Sequence, residues 1–351
     1  MKIKYFLSIV LLILSTHSIF AQDIVQEDDA LFATREISKK IEISPNSIIN
    51  IRSALTLSGT IQIETSDENI AVLRYVKRAK NQSKSKAIDF IDIISVEYEV
   101  THNGLRIDLR APNPAPWSGT NESGTVELHL MLPEFCSLEF DTQYFDIEAE
   151  GPFNSFILPS SFGRIYVENV LQKTEISTAN RKITVRDLAG DVNITTSNAT
   201  LEASDIHSPH NRIELRNDGG DVDVSDIVGE LNIKNNYGRI DVRNFHPMGE
   251  YNYIRTSNAP IIIEMEQFST DKLFVTNSYE DIEILIPDNV SSQVSLAVEE
   301  GSKIEVSEIL SKPDFIQKNR LDLILGTGKS TINSSIRGNG NIYFRGFSTG
   351  E

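Results

Sequence analysis

The sequence predicts an all-β protein: a single-stranded parallel β-solenoid (β-helix) of about 18–21 residues per coil, with an irregular N-terminal cap containing one short helix. Three observations carry this. A small polar residue recurs at fixed spacing, apolar residues keep constant distances from it, and apolar and polar side chains alternate between them with the period of a strand.

The polar column is Thr142, Ser160, Thr178, Thr196, Asn217, Asn235, Thr256 and Asn277, at intervals of 18, 18, 18, 21, 18, 21 and 21 residues. Two places earlier stand Phe140, Leu158, Ile176, Ile194, Leu215, Ile233, Ile254 and Val275. Five places later stand Ile147, Ile165, Ile183, Leu201, Val222, Ile240, Ile261 and Ile282, and seven places later Ala149, Val167, Val185, Ala203, Val224, Val242, Ile263 and Ile284. Ten places later, five units give Val170, Leu188, Ile206, Ile227 and Phe245. Each strand is only about four or five residues long, too short to stand alone. Stacking equivalent strands in parallel buries the apolar columns in one continuous core.

The Thr/Ser/Asn column falls where strand meets corner, and its short side chains can bond local backbone and one another up the stack. Gly163, Gly219, Gly220 and Gly238 are expected to supply corner positions of positive φ. The longer intervals fit the same plan. The run between Ile206 and Ile213 is three residues longer than that between Leu188 and Val192, which lengthens a corner and leaves the strands alone.

The flanks are less regular. Residues 1–21 read as a signal peptide: Lys2 and Lys4, an apolar run from Tyr5 to Leu14, and Ala21 at the cleavage position, with Ile19 larger than usual two places before it. The apolar run is too short to span a bilayer, although a short membrane anchor is the competing reading. Residues 22–40 are expected to be a flexible segment and 41–135 the cap. Within the cap, Ser83 to Ile94 has helical apolar spacing, Asn103-Gly104 marks a hairpin, and Ala111 to Gly124 forms a Pro/Gly/Ser loop. Regular coils occupy 136–310, and 311–351 hold C-terminal coils and a tail ending in the strand 341–344.

The segments Val126 to Pro133 (VELHLMLP), Leu138 to Thr142 (LEFDT) and Asp146 to Gly151 (DIEAEG), with units such as Gly238 to Val242 (GRIDV), resemble the putative-adhesin β-solenoid domain of exported bacterial proteins, a domain of unknown function. The resemblance spans roughly residues 45–345 by the repeat pattern. It implies a cell-envelope location and an adhesive or scaffolding role, and supplies no catalytic residues. The chain departs from the family's glycine-rich corners by placing Asn or Ser there.

Composition narrows the partners. The formal charge is −17, and loss of Lys2 and Lys4 with the leader makes it −19. An acidic exported surface argues against nucleic acid or an anionic membrane as partner. The single cysteine, Cys136, lies in a strand-like run and reads as a packed thiol, with a disulfide-linked dimer as the alternative.

Motifs for chemistry are few. Gly326 to Thr331 (GTGKST) mimics the tail of a phosphate-binding loop, but the position five before Gly328 is Leu323 and a strand follows. Asp218 to Asp226 (DGGDVDVSD) suggests calcium, yet the turn occurs once, and Asp221 and Asp223 alternate with inward valines. His207 and His246 share a repeat position two coils apart, roughly 10 Å, too far to share a zinc ion. No metal or cofactor is expected.

The candidate ligand-binding residues are Arg216, Lys234 and Arg255, which form an outward basic ridge before the polar column, with Tyr253 and Phe274 beside them and Trp117 in the Pro-rich loop. Such a ridge suits an acidic glycan or a partner strand; solvated charge balance is the plainer reading. The expectation is a non-enzymatic, extracytoplasmic protein with an adhesin-like or scaffolding role. An envelope polysaccharide or peptidoglycan-binding module is the first alternative, and a carbohydrate-cleaving β-helix enzyme the second.

Overall fold

The computed structural model describes residues 23–268, 271–309 and 313–348. The expected leader, residues 1–21, lies outside the described residues. The described residues form 27 strands and one helix, an all-β architecture.

Two parallel ladders organise the strands. In one, Ile147 pairs with Ile165, which pairs with Ile183, and the row continues through Leu201, Val222, Ile240, Ile261 and Ile282. In the other, Leu158, Ile176, Ile194, Leu215, Ile233, Ile254 and Val275 follow one another. All of these side chains are at most 2% exposed. Side chains alternate across a strand, so pairing in register stacks one apolar column and turns its polar neighbours outward. A third inward column, Val192, Ile213, Leu231 and Leu273, is interrupted by the fully buried Asn252. Its Oδ1 accepts the Leu231 N–H at 2.9 Å and its Nδ2 donates to the Lys272 carbonyl at 3.1 Å, so the polar group is satisfied.

The polar column is buried as its position implies, with one correction. Ser160 is exposed and Ser161 pairs with Thr178 instead, because the register shifts between Leu158 and Ser161. Asparagines do most of the bonding. The Nδ2 of Asn217 donates to the Ala199 and Gly220 carbonyls at 2.7 and 2.8 Å, that of Asn235 to Gly220 and Gly238 at 2.8 and 2.9 Å, and that of Asn277 to Ala259 at 2.8 Å. Each stitches its own corner to the one before.

The corner glycines act for a different reason than expected. Gly163, Gly219, Gly220 and Gly238 do not have positive φ. A Cβ on Gly220 would lie 2.0 Å from the Ala199 carbonyl oxygen, and on Gly238 1.9 Å from that of Gly220. Close passage of successive corners excludes a side chain there. Positive φ belongs instead to Asn169, Asp187, Asp205, Asp226 and Asn244, at 50–60° and in one column. Asn and Asp tolerate this region better than other side chains.

The insertion between Ile206 and Ile213 is absorbed as foreseen. Ser208 pairs with Gly229, Arg212 with Glu230, and residues 209–211 bulge out without disturbing the register.

Both ends depart from simple succession. Near the N-terminus, Ile48–Ser53 lies between Gly104–Arg110 and Ser137–Asp141, parallel to both. Ser58–Ser66 likewise lies between Ser123–Pro133 and Phe145–Ser161. The outer edges are covered by antiparallel strands, Ser95–Thr101 and Ile70–Lys80. Covering an edge in this way blocks further pairing. Of the expected flexible segment 22–40, the described residues 23–40 are not loose: Ile24–Asp28, Leu31–Thr34 and Ile37–Glu42 are strands, and the latter two pair with Ile70–Lys80. Phe32 and Ala33 are buried there.

The helix spans Lys84–Asp92 and buries Ala87, Phe90 and Ile91. The buried Lys77 ammonium donates to the Ile91 and Ile94 carbonyls, both at 3.0 Å, satisfying acceptors at the helix C-terminus. At the C-terminal end, Ser330–Ile336 lies between Lys272–Asn277 and Ser292–Ala297, and Ile342–Phe347 lies between Ile282–Pro287 and Ile304–Ser307. The last strands in sequence therefore fill a gap between earlier ones. Regular succession stops at Pro287, not near residue 310.

Cys136 is fully buried, and desolvation pushes its thiol up to about 11. It is expected to resist a maleimide at pH 8 in the native protein and to react fully once the protein is unfolded in urea. Rapid native labelling, read by mass spectrometry, would contradict this packing.

Candidate functional site

The outward face of the strands Val222–Lys234, Asn252–Arg255, Lys272–Asn277 and Ser330–Ile336 holds most of the residues singled out from sequence. Arg216 pairs with Lys234, Lys234 with Arg255 and Arg255 with Thr276, so the three cations form one continuous row. They are not equivalent. Arg216 Nη2 lies 3.2 Å from Glu214 Oε2, so its charge is already matched. Lys234 and Arg255 have no ion pair or side-chain hydrogen bond among the described residues.

A third such cation, Arg337, joins them. Lys234, Arg255 and Arg337 line a groove of about 220 Å³ over the corner, with Asn236, Ser257 and Ser278 between them and no carboxylate in its wall. The groove exists because Asn235, Thr256 and Asn277 turn inward and fix the corner backbone, leaving the next residue of each strand to project. Asp218 stands at the Lys234 end, where its carboxylate accepts from the Asn236 amide. Sequence periodicity missed Arg337. In its segment the polar column is occupied by Ile336, and the partner of Ile282 is Ile342, one residue out of frame.

Tyr253 and Phe274 are neighbours on the same face, their rings stacked at 4.8 Å and 10°. Tyr251 continues the stack at 6.2 Å from Tyr253, with the Lys272 ammonium 5.4 Å from the Tyr251 ring centre. Each ring covers a face of the next, so the ladder offers less open ring surface than isolated aromatics would; such pairs contribute about 0.5–1.5 kcal/mol beyond area burial.

Trp117 falls outside the site. It is 6% exposed, tilts against Phe90 at 5.3 Å, and donates from Nε1 to the Thr56 carbonyl at 2.8 Å. A Cβ on Gly124 would lie 2.6 Å from its ring. The indole pins the Pro-rich loop to the cap and has no face free for a ligand.

A wider groove of about 550 Å³ lies further back, lined by arginines and acids. Its arginines sit against its acids: Arg239 to Asp223 at 2.7 Å, Arg243 to the buried Asp241 at 2.8 Å. Asp221 accepts the Arg239 backbone N–H at 2.9 Å. Asp218, Asp221, Asp223 and Asp226 thus each accept from a protein donor. His207 and His246 are each paired with Val228, one on either side. After the glycine-rich turn at 326–328 the chain enters the strand Ser330–Ile336. Among the described residues no helix is long and apolar enough to cross a membrane.

None of the curated proteins compared is similar to the chain. Solved structures that resemble it include one described as a "putative adhesin" from Parabacteroides merdae, 9% identical over 88% of this chain and 95% of that one, with a TM-score of 0.33. Another, a "putative adhesin" from Parabacteroides distasonis, is 12% identical over 88% and 97%, with a TM-score of 0.32. A "putative lipid binding protein" from the same species is 15% identical over 88% and 96%, also at 0.32. The family model described as Toastrack DUF4097 matches residues 46–293, more than half of the 351 residues, and the chain belongs to that family.

Proposed function

We propose that this protein is an exported, non-enzymatic β-solenoid of the cell envelope with an adhesin-like or scaffolding role. In this reading it is a single-stranded parallel β-helix whose leader is removed after Ala21. The unbroken parallel registers from Ile147 to Ile282 and from Leu158 to Val275 support the architecture. A core of stacked columns gives a rigid body whose outward rows repeat at about 4.8 Å.

The observation that carries the role is the face around Lys234, Arg255 and Tyr253. On a strongly acidic chain it gathers exposed cations without partners beside stacked aromatics. It lies flush on the sheet, suited to contact with something large. A polysaccharide-binding module is the second reading, favoured by the groove with no carboxylate in its wall. A carbohydrate-cleaving site would need carboxylates free to face a bond, and in the wider groove Asp223 and Asp241 are held by arginines, Glu202 by Lys182, and Asp226 accepts from the Asn244 amide.

The test is fractionation of native cells followed by crosslinking and mass spectrometry. The expected result is a chain beginning at Gln22 in the envelope or extracellular fraction, crosslinked to an envelope component through residues 230–280. A cytoplasmic chain with its leader intact would overturn the reading.

A further inference from the structure

We infer that the corner groove between Lys234, Arg255 and Arg337 is a binding site for a carboxylate-bearing polysaccharide, a polyuronate. The inference deepens the reading above and rests on it for the compartment in which such a polymer would be met.

Charge accounting singles the groove out. Acids outnumber Lys and Arg 50 to 33, and the arginines of the wider groove sit against carboxylates. Here three exposed cations have no anionic partner among the described residues, and no acid lines the wall they share. Holding like charges together without a counter-charge costs stability, and a ligand anion would relieve it. Asp218 lowers the potential at the Lys234 end, so the strongest attraction lies between Arg255 and Arg337.

The remaining wall chemistry favours a sugar acid over a bare ion. The hydroxyls of Ser257 and Ser278 make no side-chain hydrogen bond among the described residues and sit between the cations, where ring hydroxyls of a sugar could pair with them. Arginine presents a planar fork that matches a carboxylate with two parallel hydrogen bonds. The cations also recur along the stack. Arg337 lies two strand spacings up the stack from Arg255, about 10 Å, and two residues further round the corner than Ser335, which continues the Arg255 row through Thr276. An extended polymer lying along the stack would set successive carboxylates against successive cations. A phospholipid surface is disfavoured because a broad anionic membrane would also press on the acidic remainder of the chain, whereas a single polymer strand need touch only the small groove.

Isothermal titration of the purified exported protein with tetragalacturonate at low salt tests this. Binding is expected, weakening severalfold between low and physiological salt, and falling at least tenfold in the double variant Arg255→Gln/Arg337→Gln. Arg216→Gln, at a cation already matched by Glu214, should leave it unchanged. These side chains are exposed and unpaired, so the variants should retain the wild-type melting temperature. Equal binding of neutral cellotetraose, equal binding by the double variant, or no binding at all would overturn the inference. So would Arg255-dependent capture by phosphatidylglycerol vesicles without tetragalacturonate binding. In native cells, a wild-type protein missing from the envelope would sink the underlying reading. An envelope-located protein that does not bind tetragalacturonate would sink this inference alone.

Discussion

A chain ending at Lys329 is expected to lose cooperative folding, although only its last strands are missing. In a simple stack, removing the terminal unit shortens the core and exposes one new edge. Here Ser330–Ile336 and Ile342–Phe347 lie between strands that precede them, so their loss opens a slot inside the stack. Ile332, Ile336, Ile342 and Phe344 are at most 3% exposed. Burying four such side chains is worth about 6–12 kcal/mol, the same order as the whole stability of a typical domain. Two facing rows of backbone donors and acceptors would also lose their partners, an invitation to aggregation.

The expected result is a truncated protein that aggregates on size exclusion or shows no urea transition, partly rescued by a peptide of residues 330–347 added in trans. Hydrogen exchange on the intact chain gives an independent measure. The amides of Ile332 and Phe344 should be protected like those of Ile233, whereas a terminal strand on an open edge would fray. A soluble truncated monomer with an unchanged urea midpoint would mean that the last strands do not fill that slot.

The interleaving shows where the sequence is silent. Alternation and fixed spacing made the columns from Phe140 to Ile284 readable, because each rung pairs with the next one along the chain. Nothing in such a pattern says whether a strand pairs with its immediate successor or with one 60 residues on, as Ile282 does with Ile342. Arg337 was lost for the same reason, since it belongs to the out-of-frame rung. The left-handed column of Asp187, Asp205 and Asp226 was hidden by its composition, as acids on an acidic surface look like ordinary solvated residues. The corner glycines stand out in the sequence, but their cause does not: close passage of backbones depends on the stack, and a single strand carries no trace of it. A Trp in a Pro-rich loop reads from sequence as a candidate ligand-binding residue, and only the pocket made by Phe90 and Gly124 turns it into a packing residue. The basic row was legible as a row. That Arg216 is matched by Glu214 and Lys234 is not depends on side-chain reach, beyond what alternation can tell.

The polar column, by contrast, is legible in purpose and, at every rung but Ser160, in place, and it yields the second large effect. Asn235 is 1% exposed. Its amide donates to two carbonyls, and its Oδ1 accepts the Asn236 N–H at 2.8 Å. Asn235→Val has nearly the right volume but leaves all three backbone groups without that partner, the Gly238 carbonyl buried and the other two partly so. One unsatisfied buried group costs about 1–3 kcal/mol, and partial relaxation makes about 3 kcal/mol reasonable for the set. Asn235→Thr places there the residue that Thr256 provides one rung later, and should cost about 1 kcal/mol, since a hydroxyl keeps some of the bonding. Asn232→Val, outward on the same strand, should stay within about 0.5 kcal/mol. Urea unfolding of the three variants ranks them. If Asn235→Val were as mild as Asn232→Val, the inward asparagines would be fillers of space, and the corners would be held by the apolar columns alone.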